Sequence, residues 1–218
     1  NFKIFNENAI VESFAGNTYN TDLWQINSID GTGQIDTSKV SVKNGALVFA
    51  NAGDGCYFAL KNTYRDFILD FDIVEVQEGS TFVGLAFGMD NIDDNFWAPG
   101  GNMVYLQVAN TDAFKDGAAL LGTDPAGVGT DNGGGRGWTR PGYELWSGDG
   151  PNPEVLNYRL IVRNGNAEVY YKKASDPAET LDVLRIRFAG FGDTTGFFKF
   201  VSTAGGNFTL DNIKFQPF

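Results

Sequence analysis

The sequence predicts an all-β protein built from two antiparallel sheets packed as a sandwich. Three observations lead to this class. Apolar and polar residues alternate in many short runs, Asn-Gly pairs stand between consecutive runs, and helical periodicity is scarce. Such alternation is typical of strands that bury one face. About a dozen short strands joined by tight turns, with almost no helix, favour a sandwich or a barrel.

The individual strands follow from the alternation, taken in chain order. The clearest run covers residues 67–74, in which Phe67, Leu69, Phe71 and Ile73 share one face of the predicted strand. The same rule predicts strands at residues 40–42, 46–50, 57–60, 82–88, 103–108, 158–163, 167–171, 184–188, 196–201 and 207–215. Residues 177–184 have room for a single helical turn, and residues 113–121 for another.

Two Asn-Gly pairs, Asn44-Gly45 and Asn164-Gly165, lie between consecutive strand runs. An Asn-Gly pair tolerates a positive φ at both central positions of a type I′ turn. Each pair therefore predicts a tight antiparallel hairpin.

The composition limits both the organisation and the function of the chain. A length of 218 residues, of which 42% are hydrophobic, predicts one folded domain with a substantial core. The net charge of −11 argues against nucleic-acid binding, because a polyanion would be repelled. The absence of histidine excludes Ser-His-Asp hydrolysis and histidine-ligated zinc. No apolar run reaches about eighteen residues, so membrane insertion is not expected.

Residues 110–153 interrupt the strand pattern. This segment is rich in glycine and lacks sustained periodicity, but it contains Trp138, Tyr143 and Trp146. A disordered linker would be poor in aromatic residues, and long loops in compact domains are usually functional. We expect an ordered loop that forms a site. The alternative is that these rings only anchor the loop to the sandwich.

Several phrases of the sequence occur in an order that resembles a known superfamily. They are ESFAG at 12–16, LW at 23–24, VKNGAL at 42–47, DFILDFD at 66–72, GLAFG at 84–88, YRL at 158–160, NG at 164–165, VY at 169–170, GFFKF at 196–200 and FTLDNI at 208–213. Together they resemble the laminin-G-like jelly rolls of the concanavalin A-like lectin/glucanase superfamily. These jelly rolls are found in bacterial secreted carbohydrate-binding modules and in related keto-glycoside hydrolase domains. The resemblance covers nearly the whole chain except residues 110–153.

This resemblance implies a single jelly-roll domain over residues 1–218, with the glycine-rich segment as an insertion. It further implies a glycan site on the concave sheet face or at the loop edge, and a bound calcium ion. The matching phrases are strand and turn residues, so they indicate the fold more strongly than the function.

Asp70, Asp72 and Glu75 are similar to the acid-x-acid-x-x-acid strand motif of laminarinase-type glycoside hydrolases. In that motif a bulge brings the nucleophile, the helper and the acid/base to one face. Here Asp70 stands where that family has Glu, and strict alternation would place Glu75 on the face opposite Asp70 and Asp72 unless a bulge occurs. We therefore favour the interpretation that these acids line a solvated sheet face, with catalysis as the alternative.

Oxygen-bearing side chains suggest two calcium sites. The first is the group Asp90, Asp93, Asp94 and Asn95, on a turn directly after a predicted strand. Calcium takes 6–8 oxygen ligands and needs no histidine. The second is Glu12 with Asp211, since the first and last strands commonly pair in related jelly rolls and hold an ion there. The alternative for each group is hydrogen bonding of Asx turns to the backbone.

The remaining aromatic residues suggest a glycan site. Trp97, Trp138, Tyr143 and Trp146 lie outside clean strand patterns, whereas Trp24 is expected in the core. Sugar C–H groups stack on an exposed ring while nearby polar groups bind the hydroxyls. Together with two neighbouring arginines, the predicted ligand-binding residues are Trp97, Arg136, Trp138, Arg140, Tyr143 and Trp146.

The sequence thus favours a secreted or cell-surface, non-catalytic domain that binds a polysaccharide or another glycan with the help of calcium. A glycoside hydrolase that works through carboxylates is the first alternative. A cell-surface adhesin domain that binds protein is the second. The sequence does not indicate the glycan or the oligomeric state.

Overall fold

The computed structural model describes residues 5–77, 82–94, 102–107, 118–122, 135–139, 154–202 and 205–218. These residues form two antiparallel sheets, as the alternation predicted. Fifteen strands and two short 3-10 helices, at Ala15–Asn17 and Ala178–Asp182, lie in this part of the chain. The second of these helices confirms the helical turn expected at residues 177–184. Among the described residues, no helix has the length and apolar character needed to cross a membrane.

The first sheet contains the chain's first and last strands. Its strand order is β13-β12-β11-β6-β15-β4-β3, and β1 pairs with β15. The strands are β1 (Ile10–Glu12), β3 (Val40–Lys43), β4 (Ala46–Ala52), β6 (Phe67–Val76), β11 (Leu156–Arg163), β12 (Asn166–Lys173), β13 (Ile186–Ala189) and β15 (Gly206–Pro217).

The second sheet has the strand order β10-β9-β8-β7-β14-β5-β2. Its strands are β2 (Trp24–Asn27), β5 (Tyr57–Tyr64), β7 (Phe82–Met89), β8 (Asn102–Gln107), β9 (Ala118–Gly122), β10 (Gly135–Thr139) and β14 (Gly196–Val201). The segment expected to be one long loop at 110–153 therefore contributes two strands, β9 and β10. Their sequences, AALLG and GRGWT, show no alternation, and glycine weakens strand propensity, so pattern reasoning could not find them. The helical turn expected at 113–121 is wrong for its second part, because β9 covers residues 118–122.

The core lies between the two sheets and is rich in aromatic rings. Phe67 of β6 meets Phe198 of β14 at a centroid distance of 5.5 Å, and Phe71 meets Phe200 at 5.2 Å, both edge to face. Such pairs add about 0.5–1.5 kcal/mol to the gain from burying each ring. Trp24 is 1% exposed and stacks on a core phenylalanine, which confirms its expected place. The alternating faces predicted for the strand at 67–74 are thus the core and outer faces of the first sheet.

The two Asn-Gly turns form as predicted. Asn44 and Gly45 have φ values of 53° and 76°, and Asn164 and Gly165 have values of 50° and 70°. Each pair joins two adjacent strands of the first sheet, β3 to β4 and β11 to β12. The second hairpin fixes the register of β11, which carries part of the polar surface described below.

Candidate polar site on the first sheet

The outer face of the first sheet carries a set of charged and amide side chains from three neighbouring strands. On β6, Asp70 lies opposite Arg159 of β11 and opposite Lys214 of β15. Two residues further along β6, Asp72 lies opposite Asn157 of β11. We call these five residues the polar ladder. Opposite charges that face each other across strands stabilise a sheet, whereas like charges in that position destabilise it.

Asp70 and Arg159 form a two-pronged ion pair at the centre of the polar ladder. Arg159 Nε donates to Asp70 Oδ1 at 2.7 Å, and Arg159 Nη2 donates to Asp70 Oδ2 at 2.8 Å. The Arg159 side chain is only 10% exposed, and the Asp70 side chain is 19% exposed. Burial raises the pKa of Asp70, while the guanidinium opposes this shift. Both carboxylate oxygens of Asp70 are therefore engaged, in the strongest kind of protein hydrogen bond.

Asp72 is held by two amides. Asn157 Nδ2 donates to Asp72 Oδ1 at 2.6 Å, and Asn212 Nδ2 donates to Asp72 Oδ2 at 2.8 Å. Asn212 reaches this position from a bulge in β15, where its φ is 52°. Asparagine adopts such left-handed conformations more readily than most residues. The bulge thus supplies the second amide, and both oxygens of Asp72 are occupied as well.

A shallow cleft of about 260 Å³ lies over the polar ladder. Asp70, Asp72, Asn212 and Lys214 line it, together with Leu181 of the 3-10 helix at Ala178–Asp182. This volume is below the roughly 300–1,000 Å³ of pockets that enclose drug-sized ligands. The cleft therefore suits a small polar group, or one end of a longer ligand.

A second bulge, in β6, changes the position expected for Glu75. Glu75 lies opposite Thr209 of β15, but the next residue of β15 lies opposite Ile73, so Val74 is an extra residue. Val74 and Glu75 are both exposed, whereas Ile73 and Val76 lie in the core. Strict alternation would have sent Glu75 to the face opposite Asp70 and Asp72. The bulge corrects this expectation, because it brings all three acids to the outer face.

The acidic turn at residues 90–94 uses its oxygens within the protein. Asp93 Oδ1 accepts a hydrogen bond of 2.5 Å from the Tyr57 hydroxyl. Lys199 Nζ donates to the carbonyl oxygens of Ile92, at 2.9 Å, and of Asp94. Oxygens of this kind are ligands that calcium takes in proteins, and here the protein itself engages them. The described acids Asp90, Asp93 and Asp94 do not form a group that could hold a metal ion, so this part of the turn does not fit calcium. Of the predicted ligands, Asp90 is exposed and Asn95 lies outside the described residues.

Glu12 and Asp211, the other predicted calcium ligands, are used separately. Glu12 is buried, and its carboxylate accepts backbone N–H groups from Phe14 at 3.3 Å and Asn20 at 2.8 Å. Asp211 Oδ1 accepts the N–H of the next residue, Asn212, at 2.7 Å. Burial raises the pKa of Asp211. In the part of the chain that the structure describes, no group of three or more Asp, Glu, His or Cys side chains could hold a metal ion.

The predicted glycan residues fall mostly outside the described part of the chain. The backbone places Arg136 and Trp138 on β10, which stands at one end of the strand order of the second sheet. Trp97, Arg140, Tyr143 and Trp146 lie outside the described residues. The aromatic glycan site therefore stays a prediction.

Sequence reasoning missed the partners of the acids, namely Asn157, Arg159, Asn212 and Lys199. The alternation of the sequence could have indicated Arg159 and Asn157, because both occupy polar positions of a strand whose other face is apolar. No local signal marks Asn212 or Lys199.

Comparison with known proteins supports the fold. No protein-family model and no curated protein sequence matches the chain. The β-glucanase of Bacillus licheniformis superposes with a TM-score of 0.60 at 13% identity, covering 96% of this chain and 98% of the glucanase. A Bacillus subtilis protein of unknown function with a galectin-like fold gives 0.58 at 13% identity, with 95% and 94% covered.

A domain that was solved with a bound glycan superposes as well. The exoplasmic/lumenal domain of VIP36, in its Ca²⁺/Man3GlcNAc-bound form, gives a TM-score of 0.55 at 8% identity, covering 96% of this chain and 88% of that domain. The chain therefore has the concanavalin A-like jelly-roll fold that lectins and glucanases share, as the resemblance implied. At these identities the likeness shows the fold alone.

Proposed function

We propose that this chain is a non-catalytic carbohydrate-binding domain. The observation that carries the proposal is that Asp70 and Asp72, the first two acids of the hydrolase-like motif, are already bound within the protein. Both carboxylate oxygens of Asp70 accept hydrogen bonds from Arg159, and both of Asp72 accept hydrogen bonds from amides. A retaining hydrolase needs a carboxylate that is free to attack the sugar. Attack by Asp70 would first break a largely buried ion pair, which is strongly unfavourable.

The class of ligand follows from the fold together with the predicted aromatic site. Lectins of this fold include VIP36, whose domain was solved with Man3GlcNAc. Exposed tryptophans next to arginines supply a stacking face and bidentate donors, which is what a sugar ring with its rim of hydroxyls needs. We therefore place the proposed glycan site around Trp138 and Trp146. The polar ladder is a structural element in this proposal.

A glycan array tests the proposal directly. The protein is applied with calcium and with a chelator, since calcium assistance is part of the sequence prediction. Each glycan that binds is then incubated with the protein and analysed for cleavage. We expect binding without cleavage. Absence of binding under both conditions would contradict the proposal and favour the protein-binding adhesin.

Because the proposed ligands are polysaccharides, we further propose a secreted or cell-surface location, which cell fractionation tests.

A glycoside hydrolase is the second candidate, and the bulge at Val74 favours it. Through this bulge Glu75 shares the outer face with Asp70 and Asp72, as the acid-x-acid-x-x-acid motif requires. If the protein cleaves a β-glucan, Asp72→Asn and Glu75→Gln should each abolish turnover while binding persists, since these groups would act mainly in the transition state. Asp193→Asn is the matched control, because it removes one carboxylate from an exposed position elsewhere. Turnover that survives in both Asp72→Asn and Glu75→Gln would exclude this candidate.

A further inference from the structure

Lys199 is a buried lysine on the outer face of the second sheet. It lies on β14, opposite Ala59 of β5 and Ala86 of β7, and it is 1% exposed. The two alanines are small, so they leave room for the lysine chain to lie against the sheet. The two alanines belong to a buried cluster with Tyr57, Met89 and Val201, against which Ile92 packs. The turn at residues 90–94 thus folds over this face and covers the lysine.

The ammonium group ends inside the turn. It donates to the carbonyl oxygens of Ile92 and Asp94, and it lies 4.9 Å from the centroid of the Tyr57 ring. Tyr57 in turn donates to Asp93 and accepts a hydrogen bond of 2.8 Å from Gln25. Backbone carbonyls, a carboxylate nearby and a ring face are the groups that compensate a buried cation. Burial still lowers the pKa of Lys199 to about 8, against the opposing effect of Asp93 and Asp94, so the amine is mainly protonated at neutral pH.

We propose that the Lys199 ammonium is the built-in cation of the turn at residues 90–94, and that it occupies the position that a calcium ion would need there. Carbonyl and carboxylate oxygens converging on a turn are the ligands that calcium takes in proteins. Two cations cannot share these oxygens, so the turn is ordered without metal. This inference concerns the outer face of the second sheet and does not depend on glycan binding.

A second turn of the chain is built in the same way. Lys172 of β12 is buried, and its Nζ donates to the carbonyl oxygens of Lys173, Ala174 and Asp176 at 2.9, 3.4 and 3.2 Å. This turn has no predicted calcium site. In both turns a buried lysine thus donates to several backbone carbonyl oxygens, and Lys172 can be compared with Lys199 within the same protein.

Removing the ammonium should open the turn to other cations. We expect Lys199→Ala to lower the melting temperature and millimolar calcium or methylammonium to recover several degrees of that loss. Lys199→Met is the matched control, because it also loses the charge but fills the space, and it should show no recovery. Any effect of calcium on the melting temperature should be the same for the wild type and for the Asp93→Asn variant.

Two outcomes would overturn the inference. One is a calcium response of the wild type that Asp93→Asn abolishes, since the turn would then hold the metal itself. The other is a folded Lys199→Ala protein that neither calcium nor methylammonium stabilises. If Lys199→Ala does not fold, nitrogen-15 NMR of the wild-type ammonium groups decides. A bound Lys199 should show ammonium protons that exchange far more slowly than those of the exposed Lys43. Equal exchange rates would reject the proposal.

Discussion

At the scale of single residues, the polar ladder shows how an acidic protein tolerates carboxylates on one sheet. Asp70 faces cations on both neighbouring strands, and Asp72 is bound by two amides. The sequence identified both acids as candidates, but not their partners. The partner of Asp70 is 89 residues away along the chain, and the two partners of Asp72 are 85 and 140 residues away. Such pairs depend on strand register, which local patterns do not encode.

The Asp70–Arg159 pair allows a test of the ladder's stability. Arg159→Ala leaves a largely buried carboxylate without its counter-ion, so we expect a loss of about 3 kcal/mol in the free energy of unfolding. The control is Arg65→Ala, which breaks an ion pair with Asp193 that is exposed on both sides and should cost less than about 1 kcal/mol. Urea unfolding of both variants measures the difference. Equal losses would show that Arg159 acts through something other than its charge.

Tyr170 gives a pH dependence with a definite sign. Its hydroxyl donates to Glu168 at 2.8 Å, and burial followed by this bond raises its pKa from 10.0 to about 12. The folded state thus favours the protonated phenol. The stabilising contribution is complete below pH 10, the unfolded value, and is lost as the pH rises from 10 towards about 12.

Comparison with Tyr170→Phe isolates this contribution. The stability difference between the wild type and the variant, measured by urea unfolding, should be constant below pH 10 and should shrink above it. A difference that grows as the pH rises above 10 would contradict the assignment.

At the scale of elements, the sequence predicted those strands that alternate and missed those that do not. Residues 67–74 predicted β6 because one face is apolar throughout, and both Asn-Gly turns were correctly placed. β9 and β10 were missed because their sequences carry no alternation. A bulge before Glu75 was named only as the alternative to strict alternation, since an extra residue is defined only by the partner strand. The face on which Glu75 lies therefore required the structure.

The two type I′ turns provide a matched test of what glycine contributes. Gly45 and Gly165 have similar positive φ values of 76° and 70°. A Cβ on Gly45 would meet nothing within 4 Å, whereas a Cβ on Gly165 would lie 3.1 Å from the Gly192 carbonyl oxygen. Gly45→Ala should therefore cost only the conformational penalty of about 1–2 kcal/mol. Gly165→Ala should cost measurably more in thermal unfolding. Equal costs would mean that the chain near Gly192 moves freely.

At the scale of the whole molecule, the fold and the proposed function draw on different parts of the chain. The aromatic core between the sheets accounts for the jelly roll, and alternation predicted it because burial sets that pattern. The proposed glycan site comes from residues that lie outside the alternating strand patterns of the sequence. This separation predicts that ligand binding and stability can be changed independently.

The tryptophans of the chain test this separation. Trp24 stacks on Phe58 at a centroid distance of 4.5 Å in the core, so Trp24→Ala should lower the free energy of unfolding by about 3–5 kcal/mol. Trp138→Ala and Trp146→Ala should instead weaken binding of an array-identified glycan by about 1–2 kcal/mol, or roughly 5–30-fold. Their melting temperatures should stay close to that of the wild type, because the proposal assigns these rings to the ligand and not to the core. Calorimetric titration and thermal melts of the three variants give both quantities. Unchanged affinity in both Trp138→Ala and Trp146→Ala would reject the aromatic site, and the cleft over Asp70 and Asp72 would then be the surface to test.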